Sequence, residues 1–135
     1  MTKRYLFKAK RTDNGEWVQG ALFDGENHCI IGQEIKFSPY IEHECKIVGY
    51  EVDRDTICQC TGLKDKNGKL IWENDIVKDE YDNVYKTIWQ YNYCKFCWVC
   101  IKSNLEIFRS ECELWSLIKS FEIIGNIFDN KDIGK

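Results

Sequence analysis

Proline is almost missing from this chain: Pro39 is the single one, so no proline-rich linker divides it. Long apolar runs are missing too. No stretch approaches the ~18 consecutive apolar residues of a membrane-spanning helix. The opening "MTKRYLFKAKRTDNGEW" has basic residues with no continuous apolar run behind them, so it does not read as a signal peptide. These two absences predict a cytoplasmic protein whose thiols stay reduced, and the eight cysteines then need not be a disulfide framework. A basic excess is lacking as well. Lys and Arg number 19 against 22 Asp and Glu, for a net charge of −3. Neutralising phosphates supplies much of nucleic-acid affinity, so nucleic-acid binding would need a local basic patch. No glycine loop of the mononucleotide or dinucleotide type occurs, and the nine glycines fit turns.

What is present points to β structure. At 135 residues the chain suits one domain or two small subdomains. Hydrophobic residues at 44% and aromatics at 14% supply a core and argue against a disordered chain. Tyr5, Phe7 and Ala9 alternate with Leu6, Lys8 and Lys10, the period of a half-buried strand. Asn14-Gly15 marks a hairpin turn before "WVQGALF". "HCIIGQEIKFSPYI" reads as a strand pair around Gly32, and "CKIVGYEVDRDTICQC" as strand, turn, strand. Asp65-Lys66-Asn67-Gly68 is a turn whose glycine accepts positive φ, and Glu73-Asn74-Asp75 is a second, with Asn74 tolerant of the left-handed region. Two strands then meet near Asp82-Asn83, "CKFCWVCIK" and "LEIFRS" continue the meander, and "FEIIGNIFDN" closes it with a bend at Gly125-Asn126. One short helix is expected: Ser110 and Glu113 match a capping box, and Leu114, Leu117, Ile118 and Phe121 recur at helical spacing. Many short strands and one brief helix make a small barrel or roll.

The stretches "TICQCTGLKDKNGKLIWENDIVK" and "FEIIGNIFDN" resemble the YopX-like family of phage and prophage proteins. The matching residues are Thr61 to Lys69, including Thr61, Gly62, Asp65, Asn67 and Gly68. They continue through Ile71, Trp72, Glu73, Asp75, Ile76 and Val77, then Ile123 to Phe128 with Gly125 and Asn126. The resemblance implies a mainly β fold: an N-terminal β subdomain over residues 1–60 followed by an SH3-like barrel over 61–135, one compact unit with a shared core. It implies no catalytic residues, because the family has none established, and it places the protein in the host cell cytosol. The chain departs from the pattern at Cys58 and Cys60, where relatives carry glycine and an aromatic, and at Asn74, where they carry glycine.

Candidate chemistry centres on sulfur, aromatics and lysine. Cys94, Cys97 and Cys100 fall three apart in "YNYCKFCWVCIKS". A zinc half-site needs a tight knuckle, yet Trp98 and Val99 follow Cys97. On a strand, Cys94, Phe96, Trp98 and Cys100 share one face while Cys97 turns to the other, and Cys94 and Cys100 stand roughly 20 Å apart at ~3.3 Å per residue. Cys58, Cys60, His43 or Cys45 would have to complete a metal site; the residues read more simply as small apolar positions, and no metal or other cofactor is expected. A redox pair would need a helix start, and Cys–His catalysis would need His28 or His43 brought close to a thiol. Lys64, Lys66 and Lys69 make a basic turn tip, read either as a phosphate contact or as solubilising lysines. Period two puts Trp89, Tyr91 and Tyr93 on one face, either as core or as a ligand-stacking strip.

The functional expectation is therefore a non-enzymatic binding module recognising a host or phage factor, with edge strands able to support a homo-oligomer. A second expectation is sequestration of a nucleotide or cyclic nucleotide signal, using the aromatic strip with Lys64, Lys66 and Lys69. Nucleic-acid binding ranks third, against the acidic charge. No membrane partner is expected.

Overall fold

The computed structural model describes residues 5–101, 106–107 and 115–132. The chain divides into two compact units, the first holding the described residues up to Gln59 and the second those from Cys60 onward. The strands form two antiparallel sheets.

In the first unit, β1 (Phe7–Lys10) turns into β2 (Trp17–Asp24) at Asn14-Gly15. Gly15 has φ 73°, and the Asn14 carboxamide accepts the Glu16 amide at 2.9 Å, so the turn is closed locally. β3 (Cys29–Phe37) and β4 (Cys45–Glu51) follow, each antiparallel to its predecessor. Residues 29–37 form one strand, not a pair turning at Gly32. The reason is steric: a Cβ on Gly32 would stand 2.6 Å from the Phe23 ring, so this glycine admits a neighbouring side chain instead of reversing the chain. A register shift between Gly32 and Glu34 bends the strand there. Ala9, Cys29, Ile31 and Val52 form the buried core, flanked by Phe7, Val18, Leu22 and Ile57. A 3-10 turn at Arg54–Thr56 is capped by Asp53, and the Thr56 hydroxyl accepts the Lys10 amide at 2.9 Å.

β5 (Cys58–Lys64) pairs with β1 at Cys58 and Gln59, then with β6 (Leu70–Trp72) from Cys60 to Lys64. The second unit continues with β7 (Asp75–Lys78), β8 (Val84–Gln90), β9 (Lys95–Cys100), β10 (Glu106–Ile107), the helix α1 (Trp115–Ser120) and β11 (Glu122–Asn126). Its five-stranded sheet runs β10-β9-β8-β7-β11. β10 and β11 are its edges and do not pair with each other, so the described strands do not close the SH3-like barrel that the resemblance implied. Ile71, Val77, Tyr85, Trp98, Ile118 and Phe121 form this unit's core. Phe121 lies 5.6 Å, centroid to centroid, from both Tyr85 and Trp98, within the range where tilted rings attract. Fully burying a side chain such as Phe121 contributes about 2–3 kcal/mol. The helix carries Ile118 and leads directly into Phe121, as the apolar spacing predicts; Ser110, Glu113 and Leu114, the expected capping segment, lie outside the described residues.

Candidate functional site

The motif from Thr61 to Lys69 folds as a hairpin whose polar groups bind its own main chain. Thr61, almost fully buried, donates its hydroxyl to the Ile71 carbonyl at 2.7 Å and accepts the Leu63 amide at 3.1 Å. Gly62 and Gly68 adopt φ 82° and 81°, conformations closed to most side chains. Asp65 is buried beneath the turn. Its Oδ1 accepts the amides of Asn67 and Lys69, both at 2.9 Å, and its Oδ2 accepts the amide of Ile123 at 3.1 Å. One carboxylate thus fixes the β5–β6 turn and ties it to β11. The Lys66 amide reinforces the tie by donating to the Phe121 carbonyl at 2.8 Å.

The second half of the motif behaves the same way. Asn74, with φ 71°, donates its amide to Thr87 and receives that of Ile127 on its carbonyl. Beside it Glu73 is half-buried, and the buried Asp75 accepts the Trp72 amide at 2.8 Å. A Cβ on Gly125 would stand 2.3 Å from the Asn130 side chain, which leaves room there for glycine alone. Asn126 accepts the amides of Phe128 and Asp129, both at 2.9 Å. Just beyond, Asp79 accepts bonds from the Tyr81 and Asn83 amides, the Asn83 carboxamide and the Tyr85 hydroxyl. Burial works to raise the Asp79 pKa, yet these donors outweigh it and hold the group below the usual carboxylate range. Burial first, and then the bond to Asp79, push Tyr85 up to about 12. These carboxylates anchor the main chain of the motif and of the turn beyond it.

An open cavity of about 440 Å³ lies against this hairpin. Gly62, Leu63, Lys64, Asp65, Lys66 and Gly68 line one side, and Ile118 and Lys119 the other. Leu63 and Ile118 make an apolar floor, and three lysines surround it. The Lys66 ammonium stands 3.5 Å from Glu122, which also holds Lys78 at 3.6 Å. The structure therefore gathers Lys64 and Lys66 into a site but leaves Lys69 outside its walls. Lys119 was not singled out from sequence; its signal was its place after Ile118 in the helical pattern.

Trp89, Tyr91 and Tyr93 do not line this cavity, nor do they share one strand face. β8 ends at Gln90, so Tyr91 and Tyr93 sit in the exposed β8–β9 turn, while Trp89 packs edge-on against Phe96 at 5.0 Å. The three-cysteine pattern is also split, though not as strand periodicity alone predicts. Cys94 belongs to the turn, with φ 48° and an exposed side chain, and β9 begins one residue later. Cys97 opposes Ile88 and Trp98 opposes Thr87, and both Cys97 and Trp98 are buried on opposite faces of the strand. Among the described residues, no group of three or more His, Cys, Asp or Glu is placed to hold a metal, and no disulfide joins the described cysteines. His28 and His43 are exposed, each 3.7 Å from a glutamate (Glu51 and Glu42), and neither makes a described bond to a thiol.

Comparison with known proteins agrees with the motif reading. The family model described as "YopX protein" matches residues 6–133, nearly the whole chain. The chain belongs to the YopX protein family. The crystal structure of protein EF1440 from Enterococcus faecalis is similar to it, with a TM-score of 0.64 and 26% identity over 96% of this chain and 96% of that chain. No curated protein matches. For this YopX family member, the hairpin that carries the resemblance is the one whose polar groups are committed to main-chain bonds. Among the described residues, no helix is long and apolar enough to cross a membrane.

Proposed function

We propose that this protein is a non-enzymatic, cytoplasmic binding module that recognises an anionic segment of a host or phage factor. The observation that carries the proposal is the cavity of about 440 Å³ beside the motif hairpin, with an apolar floor of Leu63 and Ile118 under Lys64, Lys66 and Lys119. Such a floor suits an aliphatic side chain, and the surrounding ammonium groups suit flanking carboxylates or phosphates. A second support is the commitment of Asp65, Asp75 and Asp79 to main-chain donors, which leaves the motif no poised base. The phage and prophage setting rests on the family resemblance. Nucleotide sequestration is the weaker reading, because the aromatic residues expected to stack a base stand outside the cavity walls.

The proposal is tested by native mass spectrometry of the purified protein after exposure to fractionated host or phage lysate. The expected result is a noncovalent adduct with an acidic partner, retained by wild type and lost in the Lys64→Glu, Lys119→Glu double variant. Catalytic turnover of a metabolite in the same fractions, unaffected by that double variant, would overturn it.

A further inference from the structure

The first unit carries an apolar face that none of the preceding function uses. Ile35 stands opposite Ile47 in the β3–β4 ladder, and Phe37 opposite Cys45. Directly opposed residues share a face, so these four form one strip while Lys36 and Lys46 point to the other side. The strip is open to solvent: Phe37 is 76% exposed, Ile35 50% and Ile47 42%. A two-stranded ribbon is marginal on its own in water, and one with an uncovered apolar face gains most from a partner.

The same face also holds a hollow. Leu6, Ala21, Phe23, Gly32, Ile35 and Ile47 line most of a cavity of about 310 Å³, with Gly20, Gln33 and Glu34 completing its wall. Gly49, Gly32 and Ala21 form a row across β4, β3 and β2, so nothing larger than a methyl group rises from that row. A phenyl ring fits easily, since a cavity of about 150 Å³ already accepts benzene. Phe37 thus stands as a projecting knob toward the ribbon tip, and the hollow lies toward its base on the same strip.

From this arrangement we infer that the occupant of the strip is a second copy of this chain, packed about a twofold axis near the Ile35–Ile47 pair. An isologous contact requires knob and hole on one patch of each subunit. Reversing one ribbon over the other sets each Phe37 above its partner's hollow. The four residues of the strip bear no charge, and Glu34 is the one charged residue in the wall of the hollow. Ile35, Phe37, Ile47 and the exposed tip residues Tyr40 and Ile41 offer on the order of 700 Å², close to the ~800 Å² per partner of a standard specific interface. This inference is independent of the lysine-lined cavity, which lies in the other unit.

Sedimentation equilibrium under reducing conditions tests it with two exposed substitutions, Phe37→Ala to remove the knob and Ala21→Trp to fill the hollow. Wild type is expected to dimerise. Each variant should keep the wild-type circular dichroism and weaken the dimer roughly 100-fold, because each removes two hot-spot contacts per dimer. An equimolar mixture of the two variants should regain part of the affinity, since a mixed dimer restores one intact knob and hollow. A wild-type monomer at about 100 µM would overturn the inference, as would either variant remaining as dimeric as wild type.

Discussion

Asp65 offers the sharpest test of the claim that the family motif specifies structure. In Asp65→Ala the buried carboxylate is removed, and with it bonds from the Asn67, Lys69 and Ile123 amides at 2.9, 2.9 and 3.1 Å. A hydrogen bond to a charged acceptor contributes about 1.5–3 kcal/mol net. The Asn67 and Lys69 amides belong to an exposed turn where water takes over part of the role, so both fall near or below the low end. Ile123 is half-buried, and its orphaned amide carries a further desolvation penalty. Removing a buried charge returns some desolvation energy, and the net expectation is a loss of ~3–4 kcal/mol. That is a large share of the ~5–15 kcal/mol available to a domain. The assay is urea unfolding at pH 7, followed by fluorescence and circular dichroism to check for coincident transitions. Asp65→Asn should lose ~2 kcal/mol, because one carbonyl oxygen still accepts while its amide opposes the donor on the other side. Lys69→Ala should stay within ~0.5 kcal/mol, since Asp65 is bound through the Lys69 amide and not the ammonium. A loss below ~1 kcal/mol for Asp65→Ala would refute the reasoning.

Further expectations follow from the same framework. Tyr85, with its pKa pushed up to about 12, holds its proton more tightly when folded. Its contribution is full below the unfolded value near 10 and is lost as pH rises toward 12. Tyr85→Phe should therefore flatten the alkaline fall in stability by on the order of 1–2 kcal/mol relative to wild type, read by unfolding at pH 8 to 11.5. Asp79 is shifted the other way: its contribution is present above the unfolded value and lost as pH falls through the lowered folded value, so Asp79→Asn should show a shallower acid slope in the same assay. Gly68→Ala should cost ~1 kcal/mol from backbone strain alone, as nothing stands within 4 Å, whereas Gly32→Ala should cost more by driving a methyl into the Phe23 ring. Elemental analysis of protein purified without chelator should show zinc well below one equivalent; one bound zinc per chain would contradict the split geometry of Cys94, Cys97 and Cys100.

Turns were the most legible part of the sequence. Gly15, Gly68, Asn74 and Asp82 all take positive φ where hairpin or turn chemistry placed a reversal, because that backbone region selects its residues locally. Gly32 misled for the complementary reason: a glycine also marks close approach of another element, and the Phe23 ring that requires it is remote in sequence. Period two correctly separated Cys97 from Trp98, yet it extended the strand through Cys94 and through Tyr91 and Tyr93, since nothing in the pattern fixes where pairing stops. The site was half visible. Lys64 and Lys66 announce themselves beside the turn, but Lys119 joins them only through packing of the helix that carries Ile118. The same limit hid the hollow beside Ile47, which depends on three small residues meeting across separate strands.

The central claim is that an anionic partner docks in the lysine-lined cavity beside the YopX motif hairpin. It is tested most directly by amide chemical-shift mapping with a short acidic peptide carrying a leucine between glutamates. Saturable shifts at Gly62, Leu63, Lys64, Gly68 and Lys119, weakening with salt and vanishing in the Lys64→Glu, Lys119→Glu variant, are the predicted result. Absence of shifts at those amides, with saturable shifts elsewhere or unaltered by that double variant, would contradict it.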